Sequence, residues 1–527
     1  MSEPTLGPRL LTVEAVLLAL AFAVAHTQSP LYYSNQNQYL LHAAALAEHG
    51  HLAGDWLANT ADPTPLFSRL VSGAFATQPW LIQPVYFALL MSYFLVVRWL
   101  VVMLPWFPDT WLARVGFAVL FTAAHAGILR WLSVQAVGTD YPWYLQSGLA
   151  AQYLLGPGLQ PSAFGVLLVW ALALFAHGQP RLACAVAAAA CWFHSTYLLP
   201  SGLLVAGFVG ALAPTRARIA VQAGAGALAV VAPVLLFTFR QFDPLDSASK
   251  EALSTLANVR IPHHCVPARW FDLVAGLQLA WIAFGLVLAR RVPFARALAI
   301  AALGGVLLTG VQLVTRSDAL ALAFPWRISV LLVPIATAVV CSKAASRLSE
   351  TRRTQRVVLA LLGALVAGGG AVAALGLGYR TVDESGVYEF VRRTAKPEDV
   401  YLIPTAFPKV GSGRGAVSNT FAPPPRAKEG TNQIPVDLQR FRLATGACVY
   451  VDFKSVPYAA PEVQEWHNRM TFAADFYSRT QHNLSSDEVA LRARGITHVV
   501  APRSRPFEAH YLDEVYADDI YIVYEVR

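Results

Sequence analysis

Charge is scarce in this chain. Only 14% of its 527 residues are Asp, Glu, Lys or Arg and 56% are hydrophobic, whereas soluble proteins carry about 25% charged residues. Several stretches of roughly 18 residues or more have almost no charge, which excludes an ordinary soluble domain and marks membrane spans. Cysteine is scarce as well. The five cysteines include no C-x-x-C pair and no Cys/His cluster with zinc spacing, so neither a disulfide framework nor a zinc module is present. Cys184, Cys191 and Cys341 fall in or at the ends of spans, while Cys265 and Cys448 fall on one side of the membrane and are candidates for a single disulfide. G-x-G-x-x-G and P-loop motifs are missing from the C-terminal region, and no internal repeat of the kind found in many transporters is visible. The net charge of +8 is not a nucleic-acid signal, because the basic residues crowd into short loops. The first hydrophobic segment lacks a small-residue cleavage site and reads as a retained span.

What is present is a polytopic α-helical membrane protein. Spans are expected near 10–27, 82–104, 111–129, 161–177, 182–198, 200–213, 219–239, 270–289, 297–314, 327–341 and 357–379. That makes eleven, with Pro200 as a break and a re-entrant helix as an option within 141–160. Twelve basic residues fall in about 47 positions of short loops and eight in about 130 positions of long ones. The positive-inside rule then puts the N-terminus in the cytoplasm and the C-terminus outside a bacterial inner membrane. The spans make a domain over 1–379, whose first outside loop is 28–81. Residues 380–527 alternate helices with short Val/Ile/Tyr strands and read as an extracytoplasmic α/β domain. A long Gly/Pro-rich loop, 406–435, interrupts it.

Polar mass concentrates in the outside loops 28–81, 130–160, 240–269 and 315–326, so function is expected there. In the first loop Asn35, Gln38, His42 and His49 share one helical stripe, which predicts a helix lying along the membrane surface. Asp55-Trp56 follows Gly54, and Asp62 opens a Pro-rich turn. Later loops add Asp140 and Tyr141, then His194, then Asp243 and Asp246, then Arg260, His263 and His264, and lastly Arg327. Three potentially cationic groups within Arg260–His264 suit a phosphate or pyrophosphate, and an arginine at a span entry suits a lipid-linked one. Each has a plainer alternative: Asp55 and Asp140 as turn caps, His194 as an interfacial histidine, Arg327 snorkelling to headgroups.

An enzyme that uses a lipid-phosphate sugar donor needs a carboxylate to take the acceptor's proton, cations to hold the leaving phosphate, a groove for the lipid and surfaces for the acceptor. Trp56, Trp131, Trp143, Trp270 and Trp326 are available as sugar platforms. The run Asn35-Gln36-Asn37-Gln38-Tyr39, Gly54-Asp55-Trp56 and Pro65-Leu66-Phe67, with Arg260-x-Pro-His-His264, resembles the first-loop pattern of the GT-C superfamily of polytopic glycosyltransferases, such as the aminoarabinose and protein O-mannosyl transferases. The resemblance covers roughly 10–340 and implies a polyprenyl-phosphate-sugar donor and a glycan, lipid or protein acceptor, with no nucleic acid. The superfamily usually has Asp or Glu right after the first span. Here Asn35-Gln36 stand there, and an amide is no general base at neutral pH. The resemblance therefore moves the role to Asp55, Asp62 or Asp140, with Asp55 keeping the Gly-Asp-Trp context. Arg260, His263, His264 and Arg327 become the donor-phosphate set, and Asn35, Gln38, His42, Trp56, Tyr141 and His194 the substrate-binding set. Metal use varies across the superfamily and no decisive ligand set stands out, which leaves a divalent metal open. A lipid or polysaccharide transporter and a non-catalytic envelope assembly protein are the competing readings.

Overall fold

The computed structural model describes residues 10–26, 29–242, 247–379, 384–407, 438–479 and 485–527. Asp243, Asp246 and nearly all of the 406–435 loop lie outside them. The chain is an α-helical polytopic membrane protein with a small C-terminal α/β unit. Five helical runs are long and apolar enough to cross a membrane by length and composition: Pro79–Val101, Ser195–Phe242, Pro293–Thr315, Asp318–Ala345 and Arg352–Leu375. Five shorter apolar helices accompany them: Val13–Ala25, Trp111–Ala123, Pro161–Ala176, Pro180–Phe193 and Leu273–Leu288. The run Ser195–Phe242 breaks at Arg216, whose φ of −144° and ψ of 50° are not helical, two residues after Pro214. Counting its two halves separately gives the eleven apolar segments expected. The break expected at Pro200 lies instead at His194, whose φ of −153° and ψ of 112° are extended and end the preceding helix Pro180–Phe193; Pro200 sits in the first turns of the run. The 141–160 stretch holds only short 3₁₀ turns, Pro142–Leu145 and Leu149–Ala151.

The C-terminal unit is built on one five-stranded sheet. Its strands are β1 (Val400–Leu402), β2 (Cys448–Val449), β3 (His498–Pro502), β4 (Leu512–Ala517) and β5 (Tyr521–Val526), in the order β2-β1-β3-β5-β4. β1 runs parallel to both neighbours, whereas the β3–β5 and β5–β4 pairs are antiparallel. The helix Ala460–Ser478 buries Val463, Trp466, Met470, Ala473 and Phe476 against one face of the sheet. The helix Ser385–Thr394 packs Val387, Tyr388 and Val391 on the other.

The first loop departs from expectation. Its helix is two short pieces, Gln36–Tyr39 and Leu41–Leu46, and Gln36, Asn37 and Gln38 are buried. Three of the four residues of the polar stripe, Asn35, Gln38 and His49, bond to the C-terminal unit. Gln38 Nε2 donates to Val456 O at 2.9 Å, and Val456 N donates to Gln38 Oε1, so the side chain pairs with a backbone as a strand would. His49 Nε2 lies 3.1 Å from Leu443 O. Gly50 and Gly446, at φ +59° and +75°, abut so closely that a Cβ on Gly50 would meet the Gly446 backbone at 2.6 Å.

Candidate functional site

A cavity of about 510 Å³ lies between the helical body, the first loop and the C-terminal unit. It draws on every outside loop expected to be functional and on one segment that was not. Asn35 and Gln38 come from the first loop and His194 from the turn before the long broken helix. Arg260, His263 and His264 come from the 255–265 segment and Arg327 from the start of the Ser329–Ala345 helix. Lys454 and Tyr458 come from the C-terminal unit. One wall is apolar, with Leu198, Leu199, Phe242, Leu253, Leu256 and Leu322. Among the described residues that line it there is no Asp or Glu.

Local backbone geometry aims these groups. Arg260 closes a π-helical turn, Thr255–Arg260, a widened turn that often marks a functional position. Arg327 follows Phe324, whose φ of +52° and ψ of 67° are left-handed, and Pro325, which fixes the next turn. Tyr32 and Ser34, next to Asn35, also have positive φ, as do Ala150 and Ala151. Each such non-glycine residue costs of order 1–3 kcal/mol, and residues of this kind cluster at functional sites.

The site is strongly cationic. Arg327 is buried and Arg260 half-buried in the cavity wall, and the Nε of each is buried with no hydrogen-bond partner among the described residues. Arg260 instead lies 5.0 Å over Phe453 and donates through Nη2 to Lys454 O. Arg327 lies 5.3 Å over Tyr197 and 5.9 Å over Phe324. Lys454 Nζ donates to Asn35 Oδ1 at 2.7 Å, and burial beside the Arg260 guanidinium lowers its ammonium to about 7. Among the described residues none of the three cations forms an ion pair with a carboxylate. Burial pushes His264 down to about 4 and His263 well below its ordinary value, so both imidazoles are neutral near pH 7. The Arg260–His264 cluster therefore supplies one fixed charge, not three.

Several expected residues lie elsewhere. Asp55 is 0% exposed and does not line the cavity. Its Oδ2 accepts from Arg442 Nε at 2.8 Å and Val449 N at 2.9 Å, and its Oδ1 from Leu57 N at 2.9 Å. Arg442 also pairs with Asp452 and donates to Val449 O, so Asp55 ties the first loop to the C-terminal unit. Asp140 is spent on Arg130, 2.7 Å away, and on the Trp143 N–H. Asp62 accepts from Thr64 N at 2.8 Å and caps its turn, next to Pro63 in the cavity wall. His42 bonds to Ala58 O, Trp56 lies under the Arg469 guanidinium at 4.1 Å, and Tyr141 is exposed beside Tyr144. Cys265 and Cys448 are both free and buried, and Cys448 Sγ donates to His51 O. No group of three or more His, Cys, Asp or Glu among the described residues could hold a metal ion.

Lys454, Tyr458, Tyr153 and Gln160 are cavity residues that the loops did not advertise. The nearest signal for Lys454 is the dense polar–aromatic run Phe453-Lys454-Ser455-Val456-Pro457-Tyr458.

The family description "Domain of unknown function (DUF6798)" matches residues 427–472, a span that includes Arg442, Asp452, Lys454 and Tyr458. No curated protein matches the chain. Among solved structures, ArnT from Cupriavidus metallidurans bound to undecaprenyl phosphate is similar at 11% identity and a TM-score of 0.37, over 97% of this chain and 96% of that one.

Proposed function

We propose that the cavity binds the phosphate of a polyprenyl-phosphate-linked sugar, and that the protein transfers the sugar to an acceptor outside the bacterial inner membrane. In this reading the N-terminus is cytoplasmic and the C-terminal unit extracytoplasmic. The observation that carries it is that Arg260, Arg327 and Lys454 meet in one cavity, form no ion pair with a carboxylate among the described residues, and share it with no described lining Asp or Glu. Buried cations are costly unless paired, and a phosphate supplies the missing partner with oxygens for several donors at once. The apolar wall beside them suits a prenyl chain. The lack of an Asp or Glu among the described lining residues also favours a second reading, a protein that holds or moves the lipid phosphate without cleaving it.

Two measurements separate these. Undecaprenyl phosphate should bind the purified protein in nanodiscs under either reading. Release of polyprenyl phosphate from a panel of polyprenyl-phosphoryl sugars, with envelope lipids and glycans as acceptors, should occur only under the first. Lys454 sets the expected pH dependence. Its charged form exists below its pKa of about 7, so anion affinity should fall as pH rises through and above 7, by about 10–150-fold in all for one charged hydrogen bond. Lys454→Arg stays charged and should flatten that slope; an unchanged slope in the variant would remove Lys454 from the phosphate site.

A further inference from the structure

We infer that His264 is the proton acceptor of the transfer, its Nε2 taking the hydrogen of the acceptor hydroxyl while the Ala150 carbonyl fixes the ring. The inference rests on the transferase reading above. It begins from the acids: Asp55 and Asp140 are held in buried ion pairs, Asp62 caps its own turn through Oδ1, and no described residue lining the cavity is a carboxylate. Among the described lining residues the candidates for a base are then nitrogens and phenolates. Burial raises Tyr39, Tyr153 and Tyr458, which keeps them protonated. Nδ1 of His194 is buried without a partner, so nothing at that atom sets the tautomer. Lys454 is held by Asn35.

Of the three cavity histidines, His264 has an orienting hydrogen-bond partner among the described residues. Its Nδ1 lies 2.7 Å from Ala150 O. A carbonyl only accepts, so Nδ1 carries the hydrogen and the lone pair is left on Nε2. The ring lines the cavity. The carbonyl is offered by a strained turn, because Ala150 and Ala151 have φ of 56° and 54°. Two successive left-handed alanines persist only where the surroundings enforce them. Part of that enforcement comes from Leu149 N, which donates to Ser329 Oγ at 2.8 Å, two residues after Arg327. One scaffold therefore sets both the orienter of His264 and the arginine of the phosphate site.

The charged groups around His264 act in a consistent direction. Burial, Arg327, Lys454 and Arg260 keep it unprotonated, and the Ala150 carbonyl opposes them. A bound phosphate offsets the cations and raises its basicity when substrate is present. In the step itself the acceptor O–H proton passes to Nε2 and the acceptor oxygen bonds to the anomeric carbon. The bond from that carbon to the phosphate oxygen breaks, and its electron pair stays on the phosphate beside Arg260 and Arg327. The imidazolium then returns its proton to water.

The test uses the full-length protein in nanodiscs and a polyprenyl-phosphoryl sugar that the wild type cleaves. His264→Gln should slow release of polyprenyl phosphate by about 10²–10⁴-fold, with undecaprenyl phosphate binding within threefold of wild type as the check on folding. His264→Gly should regain turnover when imidazole is added, which a purely structural role would not allow. Independently of turnover, diethyl pyrocarbonate should modify His264 at pH 5.5, where an ordinary histidine is mostly protonated, and undecaprenyl phosphate should protect it. An unchanged rate in His264→Gln, no rescue by imidazole, or no protectable modification overturns the assignment while leaving the transferase reading standing. A wild-type protein that cleaves no donor overturns both.

Discussion

Arg442→Met is expected to destabilise the protein by about 3–5 kcal/mol, the usual cost of stripping one partner from a buried ion pair. Arg442 is 4% exposed and neutralises two buried acids, Asp55 at 0% and Asp452 at 7%. Methionine keeps the volume but leaves both carboxylates charged inside the joint between the first loop and the C-terminal unit. Asp55→Asn should cost less, because Arg442 keeps Asp452 and the amide oxygen still accepts from backbone. Thermal unfolding in detergent, with proteolysis of the 438–479 region as a local readout, should rank Arg442→Met below Asp55→Asn and both below wild type. An Arg442→Met protein as stable as wild type would mean that this joint contributes little to the fold. The ranking bears on function as well. Loss of turnover in Asp55→Asn, by itself, does not identify a base, since the same change loosens the surface that delivers Lys454 to the cavity.

What the sequence made legible follows from where each signal resides. The apolar segments announce themselves by composition, and all eleven expected stretches are helical. Arg260, His263, His264, Arg327, Asn35, Gln38 and His194 were found because loop polarity beside a span is a local signal, and these seven share one cavity. The fate of Asp55 was not legible. Its partner Arg442 lies 387 positions away, and an ion pair between distant segments leaves no periodicity or motif. The first-loop helix misled for a related reason. Its polar stripe has the spacing expected at a membrane surface, but a polar stripe also fits a polar partner, and here Val456 and Leu443 of the C-terminal unit take that place. Strand β4 carries little sequence signal, because Leu512–Ala517 is an edge strand with only Leu512 buried, so its alternation is blurred. Lys454 was missed because a lone lysine in a folded α/β unit looks like any surface lysine until the cavity is seen.

Arg327→Ala is expected to produce the opposite pattern to Arg442→Met. Arg442 is buried with two acids, whereas Arg327 is 9% exposed, has no carboxylate partner among the described residues, and keeps an unpartnered Nε. Its support is aromatic, from Tyr197 and Phe324. A desolvated cation without a counter-ion raises the free energy of the empty protein, and such groups persist where function requires them. Removing it should therefore leave the unliganded melting temperature unchanged or raise it. Affinity for undecaprenyl phosphate should fall by about 10–150-fold, the equivalent of one charged hydrogen bond of about 1.5–3 kcal/mol. Arg327→Lys should recover only part of this, because an ammonium cannot grip two phosphate oxygens as the planar fork does. The lipid should raise the melting temperature of wild type, since it binds only the folded state, and much less that of Arg327→Ala. If Arg327→Ala instead unfolds the protein while its affinity for the lipid is unchanged, the arginine is a structural element of the span entry and the phosphate site must rest on Arg260 and Lys454 alone.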